Sequence, residues 1–338
     1  MTIEHDISLK KYNTFGIEAQ ASSFVAIRTE QDLHDLFLTG RLRNQPFLVL
    51  GGGSNIVFTD NYHGLVVRME TKGIKVQGVE GDDILVEAQA GEVWSDFVWH
   101  CINHDWHGIE NLAGIPGTVG ASPVQNVGAY GAEAKDIIEV VRAYDVHTGN
   151  LRVFSNSTCR FAYRNSIFKQ ELKDRYIVAS VIFRLHREYV PNLSYKALAT
   201  AVAMRGFGNP TGKQVAETVI ELRNSKLPDP KVTGSAGSFF KNPVVTASQH
   251  DDLKRRYPDM VSFVTDDGHY KLAAGWLIEK AGWKAKRLGN AGVYEKQALV
   301  LVNCGGCTGP EVEALAKAIT ADVDARFGVR LSPEAIII

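Results

Sequence analysis

Residues 109–131 read IENLAGIPGTVGASPVQNVGAYG, with five glycines, two prolines and one charged side chain, Glu110. Glycine and proline at this density halt both helix and regular strand, so the segment is expected as a long loop. Such a loop exposes main chain. Where Gly114, Gly117, Gly120 and Gly128 carry no Cβ, a bulky anionic ligand can reach the backbone N–H groups, which act as pre-aimed donors. Ser122, Gln125, Asn126 and Tyr130 add neutral polar side chains. The segment reads either as the cradle of a pyrophosphate-bearing cofactor or as a glycine-rich connector.

A second glycine loop lies upstream. Phe47-Leu48-Val49-Leu50 is an apolar run opening directly into Gly51-Gly52-Gly53-Ser54-Asn55, the pattern of a buried strand feeding a turn. A dinucleotide fingerprint would place its third glycine where Ile56 stands and a helix after it, whereas IVFTDN (56–61) is strand-like. Glu70 has the usual spacing for a ribose contact, but the missing helix removes the N-terminal anion site on which that fold depends. A Rossmann unit is therefore not expected.

Around the two loops, period-2 apolar patterning predicts strands over 65–69, 74–79, 84–90, 137–146, 151–154 and 176–185. Period-3.6 patterning predicts helices over 29–38, behind the N-cap Thr29, and over 93–102, 213–225, 271–281 and 310–327. Thr308 and Glu311 form a capping-box pattern at the last of these, and Gly328 ends it. Residues 297–302, QALVLV, read as a buried strand, and EAIII at the end as an apolar strand headed by Glu334. Pro191, Gly206, Gly208, Pro210 and Gly212 break the chain over 187–212, where a strand-rich front is expected to give way to a different rear domain.

Composition excludes several classes of function. Apolar residues make up 45% and charged residues 22% of 338, the balance of a globular protein with a sizeable core. Thirty-seven Lys plus Arg against 38 Asp plus Glu leave a net charge of −1, without the basic footprint that nucleic-acid binding requires. The N-terminus lacks a signal-peptide apolar region and no run of about 18 apolar residues is present, so a cytoplasmic protein without membrane insertion is expected. Cys304 and Cys307 form a CGGC, but no second ligand pair accompanies them. Reduced thiols and no metal are expected. Nothing in the apolar patterning demands an oligomer, so a monomer is expected.

Taken together, YNTFG (12–16), GGGSN (51–55), ENLAGIPGTVGASPVQNVGAYG (110–131), FAYRNSIF (161–168), NSKLPDPK (224–231), GSAGSFFKNP (234–243), AAGWLIEKAG (273–282) and SPE (332–334) closely resemble the UDP-N-acetylenolpyruvoylglucosamine reductases, flavoenzymes of bacterial peptidoglycan precursor synthesis. The resemblance runs in order over nearly the whole chain. It implies an α+β protein: a vanillyl-alcohol-oxidase-type (PCMH-type) front of two FAD-binding subdomains, 1–67 (joined by the tail 328–338) and 68–190. A connector with a substrate loop at 191–212 and an α+β substrate-binding domain at 213–327 follow. The implied reaction is NADPH-dependent reduction, through FAD, of the enolpyruvyl ether of UDP-N-acetylglucosamine-enolpyruvate to UDP-N-acetylmuramate.

Residue by residue, the resemblance implies FAD contacts at Gly51, Gly52, Gly53, Ser54, Asn55, Ile115, Pro116, Gly117, Ser122, Gln125, Asn126 and Gly128. Some flavoproteins of the wider fold attach the cofactor through a His after the first loop; Ser54 and Asn55 stand there, so dissociable FAD is expected. Arg164, Ser238 and Glu334 match the catalytic set: the arginine for the developing enolate, the serine as proton donor, the glutamate beside the alkene. Tyr195, Lys226, Asn242 and Gln297 match UDP and diphosphate contacts, and Tyr130 and Tyr163 line the substrate side. One departure concerns the tail. Relatives follow the terminal glutamate with Val-Arg, whereas this chain has Ala335-Ile336-Ile337-Ile338, leaving the local partner of Glu334 open. A flavin oxidase acting on another alcohol or acid would share the front but not GSAGSFFKNP and SPE. A scaffold that had lost its chemistry would have no use for Arg164, Ser238 and Glu334 together.

Overall fold

A computed structural model describes residues 1–265 and 267–338. The chain divides into two compact units. The first comprises residues 1–7, 21–53 and 62–224; the second comprises 8–20, 54–61 and 225–338.

The first unit holds two larger sheets and the short strand pair Gly128–Ala129 and Ala132–Glu133. One has the strand order Ile3–Ser8, Gln20–Ile27, Tyr62–Met69, Phe47–Leu50, and Tyr62–Met69 runs parallel to both Gln20–Ile27 and Phe47–Leu50. Parallel strands need a crossover. The helix Glu30–Leu38 lies between the strands Gln20–Ile27 and Phe47–Leu50 in the chain, started by Thr29, whose hydroxyl accepts from Asp32 N while the Asp32 carboxylate accepts from Thr29 N. Leu33 and Leu36 are its buried face. The second sheet is antiparallel, in the order Leu151–Ser155, Ile138–Asp145, Tyr176–His186, Asp83–Gln89, Ile74–Glu80. The helix Trp94–Asn103 buries Trp94, Phe97, Val98, Cys101 and Ile102, and Trp94 and Phe97 pack on Phe183 with ring centroids 5.9 and 4.7 Å away.

The division falls after Asn224 rather than at 187–212. The reason is the helix Gly212–Lys226, whose Val215, Ala216 and Val219 are fully buried in the core of the first unit. The expected break at 187–212 also contains a helix, Lys196–Met204, anchored by Leu198 and Val202.

The second unit is built on a sheet in the order Ser235–Ser238, Val300–Asn303, Ala291–Val293, Arg287–Leu288, antiparallel throughout. The helix Gly309–Phe327 carries the expected capping box and ends at Gly328. Its Val312, Leu315, Ile319, Val323 and Phe327 form the buried stripe. The helix expected over 271–281 resolves into a strand, Tyr270–Leu272, and a short helix, Ala274–Lys280, while Ala247–Arg256 is a further helix. The tail ends in a two-residue strand, Ile336–Ile337, parallel to Ile56–Val57.

Candidate active site

In the first unit the two glycine loops meet main chain to main chain. A Cβ on Gly52 would lie 2.6 Å from Gly117 Cα, and one on Gly51 would lie 2.5 Å from Thr118 Oγ1. No side chain fits against the Gly117 backbone, which is why glycine is required at position 52. The adjoining strand contacts are regular. Gly117 O accepts from Trp94 N at 3.0 Å, and Val119 N and Gly120 N donate to Glu92 O and Ala90 O. The amides of Gly52, Gly117 and Thr118, by contrast, donate to no group among the described residues. Unsatisfied amides on two apposed glycine loops form a ready anion cradle, and this donor set fits the pyrophosphate of FAD.

The polar side chains of the loop divide into two groups. Ser122 is buried, and its hydroxyl donates to Val119 O at 2.7 Å. Asn126 is fully buried at φ +47°; its Nδ2 donates to Glu133 Oε2 and Ala162 O, and its Oδ1 accepts from Lys135 N. Both side chains are bonded within the protein and hold the loop in shape. Ile115, Gly117, Gln125 and Gly128 are partly exposed, and Pro116 is exposed.

Arg164 lies at φ +52°, with its guanidinium over the Tyr163 ring at 5.4 Å and its Nη2 donating to Gly128 O at 2.8 Å. Of the two sequence readings, surface stacking or aimed cation, the structure combines the stack with a bond into the 109–131 loop. Tyr130, at φ +49°, meets Tyr195 edge-on with ring centroids 5.4 Å apart. Burial, opposed by Arg223 and assisted by Tyr195, raises the Tyr130 phenol above its ordinary range.

In the second unit, the strand Ser235–Ser238 has a register irregularity between its two end residues, with Gly237 at φ +67°. The irregularity reaims the strand just before Ser238. Phe239 and Phe240 follow, both buried and packed edge-to-face at 5.1 Å. They fix the chain that carries the serine. Phe239 O accepts from Glu334 N at 2.7 Å, and Lys241 N donates to Ser332 O at 2.9 Å. Two segments almost a hundred residues apart in sequence are thereby brought together at Ser238 and Glu334. Asn55 Nδ2 donates to Glu334 O at 3.2 Å, and Ile336 N donates to Asn55 O at 2.9 Å. The tail without an arginine is therefore held by its own main chain, with Asn55 as anchor.

Asn242 and Gln297 meet at the start of the helix Ala274–Lys280. Asn242 Oδ1 accepts from Ala274 N at 2.9 Å, and Gln297 Oε1 would lie 2.8 Å from a Cβ on Gly275. Gln297 precedes its strand rather than opening it, since the strand begins at Val300. Lys226 is exposed at the end of the helix Gly212–Lys226. Cys304 and Cys307 are free thiols, and burial, with Glu311 and Cys304 nearby, pushes Cys307 up to about 12.

Two residues in or beside the 109–131 loop escaped sequence reading. Arg223 donates from Nε to Gly114 O at 3.0 Å, and burial lowers its pKa. Its position three residues before Lys226 on one helix is the signal that could have exposed it. Asn111 is the other.

Family models match at both ends. Residues 21–155 match the FAD binding domain, and residues 229–338 match the C-terminal domain of UDP-N-acetylenolpyruvoylglucosamine reductase. UDP-N-acetylenolpyruvoylglucosamine reductase of Neisseria meningitidis serogroup A is 50% identical over 98% of this chain and 96% of its own length. The chain belongs to the UDP-N-acetylenolpyruvoylglucosamine reductase family. The Pseudomonas aeruginosa protein of the same name is 46% identical over 99% of this chain and 98% of its own length. The crystal structure of UDP-N-acetylenolpyruvylglucosamine reductase from Thermus caldophilus superposes with a TM-score of 0.70 at 23% identity, covering 100% of this chain and 99% of that one. A solvent-stable cholesterol oxidase superposes at 0.52 with 11% identity, covering 98% and 86%. These two show the fold: an FAD-binding front of the vanillyl-alcohol-oxidase type with mixed α and β structure. The chain is an FAD-dependent oxidoreductase of this family, with the family's reduction of an enolpyruvyl UDP-sugar by NADPH. No described helix is long and apolar enough to cross a membrane.

Proposed function

We propose that residues of this chain divide the reduction of UDP-N-acetylenolpyruvoylglucosamine as follows. Gly51, Gly52, Gly53, Ile115 and Gly117 hold the FAD pyrophosphate through main-chain donors, with Pro116, which has no N–H, packed beside them, a reading supported by the unsatisfied amides of Gly52, Gly117 and Thr118. Gln125, Gly128 and Ser54 line the rest of the cofactor. When bound, the flavin supplies as hydride the reducing equivalents taken from NADPH.

Addition of hydride to the terminal alkene carbon leaves negative charge on the adjacent carbon and its carboxylate. Arg164 answers that charge with a fixed guanidinium, held by Gly128 O and Tyr163, so little reorganisation is needed as the enolate forms. Ser238 Oγ gives its proton to the enolate carbon. A serine is a weak acid, and positioning must compensate; the buried Phe239 and Phe240 rings supply the rigidity. Glu334, held at its main chain by Phe239 and Asn55, assists the enolate from the side of the serine.

Lys226 supplies a point charge for the UDP diphosphate, and Tyr195, Asn242 and Gln297 contact the UDP-sugar. Tyr130 and Tyr163 line the substrate side. The protein works as a monomer in the cytoplasm and binds no nucleic acid, in keeping with its net charge of −1. In terms of domains, residues 1–190 with the tail serve FAD and residues 213–327 serve the UDP-sugar.

The observation that carries the residue assignment is the bond from Glu334 N to Phe239 O, which ties the main chain of Glu334 to the strand that carries Ser238. Single-turnover kinetics of Ser238→Ala test it. Flavin reduction by NADPH stays within twofold of the native rate, while reoxidation by the enolpyruvyl UDP-sugar falls by about 10⁴-fold or more, the upper range for lost acid catalysis. Equal losses in both halves would remove Ser238 from the proton-donor role.

A further inference from the structure

Asn111 lies within the cofactor loop, 4% exposed. Both hydrogens of its amide are used on different segments: Nδ2 donates to Tyr130 O at 2.8 Å and to Asn192 O at 2.9 Å. Asn192 answers with a bond from its own Nδ2 to Gly131 O at 3.3 Å, and its Oδ1 accepts from Ser194 N and Ser194 Oγ. A Cβ on Gly131 would come within 2.6 Å of Ser194 Oγ. Residues 192–194 are therefore seated on Tyr130 and Gly131, and the next residue is Tyr195, whose ring meets Tyr130 edge-on.

Tyr195 itself is 39% exposed, so burial of the ring does little to hold it. The Asn111 amide is the one buried side chain seen to bond both sides of this junction among the described residues. We propose that Asn111 is a positioning residue for substrate binding: it latches the segment carrying Tyr195 to the far end of the cofactor loop, and so sets affinity for the UDP-sugar through Tyr195. This rests on the reading that Tyr195 contacts the UDP moiety.

A double-mutant cycle on the FAD-loaded protein tests the latch. Affinity for UDP-N-acetylenolpyruvoylglucosamine is read from the perturbation of flavin absorbance, without NADPH. Asn111→Ala weakens binding about tenfold, the effect of losing two amide bonds of about 1 kcal/mol less partial replacement by water. The rate of flavin reduction by NADPH stays within twofold. In a Tyr195→Ala background the same change weakens binding less than twofold, because its route to the ligand is already gone. Should Asn111→Ala fail to retain FAD, Asn111→Ser, which keeps one donor, replaces it in the cycle. Equal tenfold losses in both backgrounds, or no loss in the native background, overturn the latch while leaving the reaction assignment intact. Absence of any binding by the native protein overturns the reaction assignment and the latch with it.

Discussion

Arg164 shows how much one residue's role depends on backbone that sequence does not display. Its φ of +52° turns the side chain back so that Nη2 reaches Gly128 O while the guanidinium covers Tyr163. Lysine retains the charge but not the planar fork that both stacks and donates. Arg164→Lys is expected to slow flavin reoxidation by the UDP-sugar about 10²-fold, the cost of one misplaced oxyanion donor, with little change in reduction by NADPH; stopped-flow absorbance separates the two. The residue types of the site were legible in FAYRNSIF and GSAGSFFKNP, but side-chain direction was not. Ser122 and Asn126 have the same polar chemistry as expected ligand contacts, yet their partners lie at Val119, Ala162 and Lys135. No local pattern encodes a partner such as Ala162. Asn126→Ala removes three bonds from a buried site and is expected to cost about 2–3 kcal/mol of stability, measurable by denaturant unfolding, with weaker FAD retention as the loop loosens.

Among elements, the glycine loops place the strictest demand on sequence. Gly52 has the Cα of Gly117 where its own Cβ would go, and neither neighbour is a flexible side chain. Gly52→Ala is expected to abolish FAD retention through purification. Gly78, on an outer strand with nothing within 4 Å of its absent Cβ, is the matched control: Gly78→Ala keeps the flavin spectrum and leaves the melting temperature within a degree or two of native. Long strands and capped helices were legible because their apolar periods and caps are local features. The helix Ala247–Arg256 was not, since only His250 and Leu253 are buried along it, too few for a stripe. Lys196–Met204 was hidden between proline and glycine breaks that read as a connector.

For the molecule as a whole, the division after Asn224 was illegible because it depends on where a helix packs, not on where the chain bends. Stability of the first unit rests partly on a polar cluster beneath its antiparallel sheet. Glu87, 2% exposed, receives bonds from Ser180 Oγ, Arg142 Nη1 and Gln77 Nε2, with Lys75 Nζ at 3.3 Å. Burial pushes this carboxyl up, but Ser180, Arg142 and Lys75 outweigh it, and the net pKa lies below the ordinary glutamate range. A lowered folded pKa stabilises the native state above the unfolded value, and that contribution is lost as pH falls through the folded value. Glu87→Gln is therefore expected to be about 1.5–3 kcal/mol less stable than native at pH 7, with the gap closing below about pH 4; denaturant midpoints across that range check it. The proposed reaction runs as two half-reactions through one flavin. Its most direct test is anaerobic addition of NADPH to the FAD-loaded protein, followed by UDP-N-acetylenolpyruvoylglucosamine, with flavin absorbance recorded throughout. The expected result is bleaching on the first addition and full recovery of colour on the second, with one UDP-N-acetylmuramate formed per flavin; bleaching that the UDP-sugar does not reverse would contradict it.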